Sequence, residues 1–177
     1  ATNWEMYYFP TGGTRQYGYL NLTNAFATWS HNAPSSTIIS LSGSGDSNGN
    51  GRTMIGYAFH SVQGYSKIGT YFGNGDTDGP FIYTGFKPAF IITKPTSTTG
   101  NWNINDTKRD PINQASQRLK TNSSDAESSS GSMDILSSGF KIRTSGTSYN
   151  GDGDTFLYLA FAENPFVTSD SVPTPAR

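Results

Sequence analysis

Part of this chain returns roughly 100 residues further on, and any fold it adopts must accommodate both copies. The run GNGRTMIGYAF at 49–59 reappears as GDGDTFLYLAF at 151–161, keeping the spacing GxGxTxxxxAF. Asn3-Trp4 reappears as Asn101-Trp102, and Asn21-Leu-Thr-Asn-Ala25 as Asn122-Ser-Ser-Asp-Ala126. The order is kept while the offset drifts from 98 at Asn3 to 101 at Asn21 and 102 at Gly49. Residues 64–94 open the second copy and have no counterpart ahead of the first. The reading is therefore 1–63 as the end of a first copy, 64–167 as a complete second copy, and 168–177 as a tail. Either the chain is a piece of a modular array, or the first segment completes the second by sharing its core. Repeats of this kind suit extended binding or structural proteins.

The residues between the repeat markers read as short strands. Helical periodicity is almost absent; the best candidate, 111–119, gives one or two turns at most. Strand signals fall at 4–9, 17–22, 37–41, 52–60, 65–72, 81–84, 89–94, 102–106, 118–121, 140–143 and 155–162, each closed by Gly, Pro, Asn or Ser. In Phe140-Lys-Ile-Arg143 apolar and charged residues alternate, so one face meets water. The runs 156–162 and 90–92 are apolar throughout, so they are expected at the centre of a sheet, and the repeat assigns 54–59 the same role. The predicted fold is all-β: an antiparallel sandwich of jelly-roll, concanavalin-like character with an internal duplication.

Composition narrows the function. Net charge is −1 and only 14% of residues are charged, which gives no footprint for nucleic acid. There is no cysteine, so neither disulfides nor thiol catalysis enter. No apolar run reaches the length of a membrane-spanning helix, and no membrane insertion is expected. The two histidines, His31 and His60, fall in no GxSxG or HExxH context. Asp106 and Asp110 flank Lys108-Arg109 and are the nearest approach to a glycosidase carboxylate pair, but ion pairing with Arg109 is the simpler reading. The chain is read as non-enzymatic.

Two constellations remain. Asp76 and Asp78 lie in a Gly-rich loop, as do Asp152 and Asp154; alternating oxygen ligands in such loops can wrap Ca²⁺. Hairpin-turn chemistry accounts for the same residues without a metal. Asp46, Asn48 and Asn50 start like an EF-hand loop, but the twelfth position is Tyr57 and no helices flank it. The second constellation is aromatic. Tyr65, Tyr71, Phe72, Tyr83, Phe86 and Trp102 crowd the second copy. Sugar recognition needs a flat aromatic face and planar polar groups. Trp102, Asp106, Arg109, Tyr71 and Lys67 supply both, with core packing as the competing role for the rings.

The stretch GYSKIGTYFGNGDTDGPFIYTGF at 64–86, continuing to Lys94, resembles a repeat domain of tail-fibre and other virion proteins of marine phages, including cyanophages. Asn101-Trp102, Asp106, Lys108-Arg109, the run to Glu127, Gly139-Phe140-Lys141 and Ala160-Phe161-Ala162-Glu163 with Pro165-Phe166 extend the likeness. The resemblance implies a virion appendage at the particle surface, built as a homo-oligomer such as a trimer. Its partners would be other virion proteins and a host-surface glycan.

Overall fold

The computed structural model describes residues 3–30, 34–41 and 45–165. His31, Phe166 and the tail at 168–177 lie outside the described residues. The described chain is all-β and antiparallel. Two sheets of the second unit form a sandwich, and a third, small sheet from the first segment packs outside it.

The strands are β1 (Glu5–Tyr8), β2 (Gln16–Tyr19), β3 (Ala27–Thr28), β4 (Ser66–Phe72), β5 (Phe81–Tyr83), β6 (Pro88–Pro95), β7 (Asn103–Asp106), β8 (Leu119–Lys120), β9 (Met133–Leu136), β10 (Gly139–Ile142) and β11 (Thr155–Ala162). They pair in the orders β1-β2-β3, β4-β11-β6-β7-β8 and β5-β10-β9. The last of the described strands is thus an interior strand of the five-stranded sheet. It is paired along its length with β4 on one side and β6 on the other.

Alternation sorts side chains onto the two faces of that sheet. Phe156, Tyr158 and Ala160 of β11, Tyr71 of β4 and Ile91 of β6 point inward. There they meet Ile82, Met133, Ile135, Phe140 and Ile142 of the three-stranded sheet, all buried. The Tyr71 ring stacks on Phe156 at 5.0 Å, and Phe140 meets Tyr158 edge-on at 5.5 Å. A short helix, α1 (Thr147–Asn150), brings Tyr149 into this interior, where its hydroxyl donates to Asn105 Oδ1 at 2.8 Å.

The outer face of the same sheet carries one aliphatic side chain per strand in register: Ile68, Leu159, Ile92, Ile104 and Leu119. Towards one end of this face lie Leu157 and Lys94, both buried. The first segment covers that end. Phe26 packs on Trp102 at 5.9 Å, Trp102 Nε1 donates to the Tyr19 carbonyl at 2.8 Å, and Thr121 Oγ1 donates to the Leu20 carbonyl at 2.9 Å. Residues 3–30 thus join the second unit by a seam on the outer face of the sheet. The interior between the two sheets is built from 71–160, and the first segment keeps an aromatic cluster of its own, with Tyr7 and Tyr17 against Trp29.

Three local expectations are corrected. Residues 37–41 and 52–60 are not strands, and 111–119 is not helical. The apolar run at 52–60 has the sequence of a central strand, but among the described residues no strand pairs with it. Asp110 Oδ2 accepts from the amides of Ser116 and Gln117 and holds 111–117 as an irregular loop. β9 was hidden in sequence because Met133-Asp-Ile-Leu136 follows a serine-rich loop without a break.

Lys94 lies in the seam, and among the described residues no carboxylate pairs with it. Its Nζ donates to the carbonyls of Pro95 at 2.6 Å and Thr23 at 3.3 Å, and sits 5.9 Å from the Phe26 ring centre. Burial pulls its pKa down from 10.5 to about 8. Between those values the unfolded chain holds a proton that the folded chain has released, so stability rises with pH across that window. Lys94→Met removes the term. The difference in unfolding free energy between wild type and Lys94→Met, measured in denaturant from pH 7 to 10.5, should shift in favour of the wild type as pH rises; parallel curves would contradict this. Trp102→Ala should cost about 3–5 kcal/mol by the same measurement, as for a large buried aromatic.

Candidate functional site

β5 and β10 build a candidate ligand surface. Ile82 points into the core, so its neighbours Phe81 and Tyr83 must point out, about 7 Å apart along the strand. They are 47% and 67% exposed. Register places Lys141 of β10 opposite Phe81 and Gly139 opposite Tyr83, with Asp134 of β9 beyond Lys141. Gly139 keeps this face flat: a Cβ there would run into the Ile82 carbonyl and press on the Phe81 ring.

Charged groups rim the aromatic pair. Lys141 Nζ lies 2.9 Å from Asp78 Oδ1 and donates to the Gly79 carbonyl at 2.9 Å. Arg143 Nη1 lies 3.7 Å from the same Asp78 oxygen, and Arg143 Nε lies 3.3 Å from Asp134 Oδ2. The hydrogen bond and charge of Lys141, with Arg143 behind it, hold the Asp78 carboxyl below its usual pKa. The pairing is present above the ordinary carboxylate value and is lost as pH falls through the lowered one.

Asn150 fixes the loop that carries Asp78. Its Oδ1 accepts from the Asn74 amide, and its Nδ2 donates to Asn74 Oδ1, the Asp76 carbonyl and the Thr144 carbonyl, at 2.7–3.0 Å. One buried amide thereby joins the 73–79 loop, the end of β10 and the helix. Such an arrangement presents two aromatic faces and a fork of fixed donors and acceptors. That set can stack on a sugar ring and bond its hydroxyls.

The residues singled out from sequence do not converge. Trp102 is 1% exposed in the seam and offers no open ring face. Tyr71 is buried, its hydroxyl donating to the Tyr149 carbonyl at 2.8 Å. Asp106 accepts from the amides of Lys108 and Arg109 and pairs with the Arg109 guanidinium, which also reaches Glu127 Oε1 at 2.6 Å and the Ile104 carbonyl. This network staples a loop. Lys67 is exposed on β4, away from Phe81 and Tyr83 in the sheet order. The carboxylates Asp106 and Asp110 are both spent on backbone amides.

The loop aspartates serve as turn and pairing groups. Asp76 Oδ1 accepts from the Asp78 amide at 2.8 Å, Asp154 Oδ1 accepts from Ser97 Oγ at 2.9 Å, and Asp152 lies against Gly75. Among the described residues, no three His, Cys, Asp or Glu side chains are gathered to hold a metal ion. Of the site's members, Tyr83 alone stood in the aromatic group read from sequence. The alternation in Phe81-Ile-Tyr83 and in Phe140-Lys-Ile-Arg143 was the available signal for Phe81, Lys141 and Arg143, because Ile82, Phe140 and Ile142 turn inward and leave their neighbours on the outer face; Asp78 stood among the loop aspartates.

Asn150→Ala should cost about 2–3 kcal/mol, since it strips partners from several partly buried groups. Hydrogen exchange should show the 73–79 loop opening more than β6. Equal protection of the loop in wild type and variant would remove the clamp from the account.

No curated protein and no solved structure matches the chain. Residues 1–165 match DUF7483, described as a domain of unknown function. The chain belongs to that family.

Proposed function

We propose that this chain is a non-enzymatic glycan-recognition module of a virion appendage such as a phage tail fibre, with the outer face of β5, β10 and β9 as its binding surface. The observation that carries the recognition reading is the pair of exposed rings, Phe81 and Tyr83, beside the Lys141–Asp78–Arg143–Asp134 fork. Exposed aromatics cost free energy in water unless something covers them, and a sugar ring does so while using the fork. The virion setting rests on the resemblance of 64–94 to phage appendage repeats. A shallow face of this kind binds weakly, and a homo-oligomer, such as a trimer, multiplies it by avidity. Calcium in the loops at Asp76, Asp78, Asp152 and Asp154 would be an addition to this surface, and EDTA tests for it.

A second reading is a structural spacer that touches only other virion proteins. The exposure of Ile38, Ile55, Tyr57 and Phe59 favours it. An accessory carbohydrate-binding domain of a secreted enzyme would use the same aromatic face as the first reading.

A glycan array probed with the folded protein, with and without EDTA, should give specific binding. Phe81→Ala and Tyr83→Ala should each weaken it roughly tenfold, the equivalent of about 1.4 kcal/mol per stacked ring, with unfolding midpoints little changed. Binding that survives the double substitution places the site elsewhere. No binding by a folded sample moves the weight to the spacer.

A further inference from the structure

We infer that the first segment presents an open half-sheet that takes a β4- and β6-type strand pair from a further repeat unit. The basis is that the two copies share a hydrogen-bonded clip. The amide of Trp4 donates to Asn21 Oδ1 at 2.9 Å, as that of Trp102 donates to Asn122 Oδ1 at 2.8 Å. Asn21 Nδ2 donates to Asn3 Oδ1 at 3.2 Å, as Asn122 Nδ2 donates to Asn101 Oδ1 at 2.8 Å. Leu20 N donates to the Trp4 carbonyl, as Thr121 N donates to that of Trp102. The strands that follow pair alike: Glu5 opposite Tyr19 and Met6 opposite Gly18 in one copy, Asn103 opposite Lys120 and Ile104 opposite Leu119 in the other. β1 therefore corresponds to β7, and β2 to β8.

The neighbours differ. β7 is paired on its far side with β6, β6 with β11, and β11 with β4. β1 ends its sheet with β2 as its strand neighbour among the described residues. The counterpart of β11 is 52–59. It lies in no sheet, and Met54, Ile55, Tyr57 and Phe59 are 40–76% exposed. Asp46 bonds Asn3, and Ser47 accepts from the Tyr7 hydroxyl, so the head of this run is held close to β1. A β6-type strand would fit between β1 and 52–59, and a β4-type strand would pair the other edge of 52–59. The order would then read β4-type, 52–59, β6-type, β1, β2, the order of the complete sheet. The occupant is thus an antiparallel strand pair with the pattern of 64–95, joining by edge addition. Trp4 makes the same point. It is 61% exposed, whereas Trp102 in the same clip is 1% exposed because Phe26 and Tyr19 of the unit before it lie over it.

The test appends a copy of 64–100 ahead of the full chain and follows amide exchange by mass spectrometry. In the chain alone, 52–60 should exchange fast. With the appended copy, 5–8 and 52–60 should slow on the order of a hundredfold while 155–162 is unchanged. In a parallel experiment the 64–100 peptide, on a soluble carrier, is titrated onto the chain as it stands, and protection should appear at the same two places. Unchanged exchange at 52–60 in a folded fusion overturns the inference, as does protection confined to 155–162, which would mean exchange with the resident strands. If the fusion aggregates, absence of peptide binding at 5–8 and 52–60 overturns it equally.

Discussion

An eight-residue strand that is apolar on both faces has to be covered twice. β11 is that strand, and the rest of the architecture follows from it. Its inner residues Phe156, Tyr158 and Ala160 need a second sheet, which β5, β10 and β9 supply. Its outer residue Leu157 needs cover on the opposite face, next to Lys94, where the first segment docks. Its two edges need partners of matching length, and β4 and β6 provide them. Burial of this apolar surface is the dominant favourable term in such a fold. The hydrogen bonds of Asn150, Asn105 and Tyr149 then fix how the loops close over it.

The same constraint decides where function can reside. The five-stranded sheet is covered on its inner face from Tyr71 to Ala160 by the second sheet and, on its outer face, by the first segment around Leu157 and Lys94. The three-stranded sheet is covered on one face only. Its other face is a broad strand surface that combines exposed rings with charged groups already held in place. Asn150 links that surface to the core, because the loop it clamps carries Asp78, and Asp78 in turn orients Lys141. Rigidity of the rim is therefore a property of a buried amide some distance from the rings.

The duplicated sequence and the unequal surroundings of its two copies are the other theme. Asn-Trp and the later Asn make the same clip wherever they occur, because the bonds are local to two adjacent strands. What lies beyond the clip is not local. Central-strand sequence at 52–60 does not become a strand without neighbours for both edges, since an unpaired strand leaves its amides and carbonyls without partners. This is why the repeat predicted a strand there and the chain has none. It is also why Trp4 and Trp102, alike in sequence and in hydrogen bonding, differ so widely in exposure.

The amino-acid sequence determined the all-β class, the interior position of 155–162 in its sheet and the clip residues, because alternation, apolar runs and Asn side chains act over a few residues. It also carried the outward direction of Phe81, Tyr83, Lys141 and Arg143, readable from period-two alternation once Ile82 and Ile142 are assigned to the interior. The pairing of Asp106 with Arg109 is local and was likewise readable from sequence. Only the tertiary structure decided that Trp102 and Tyr71 are packing groups and that β5 lies beside β10. Those outcomes depend on which strand pairs with which across 50 residues or more of chain, and pairing at that distance is set by the covering of β11 rather than by any residue's own neighbours.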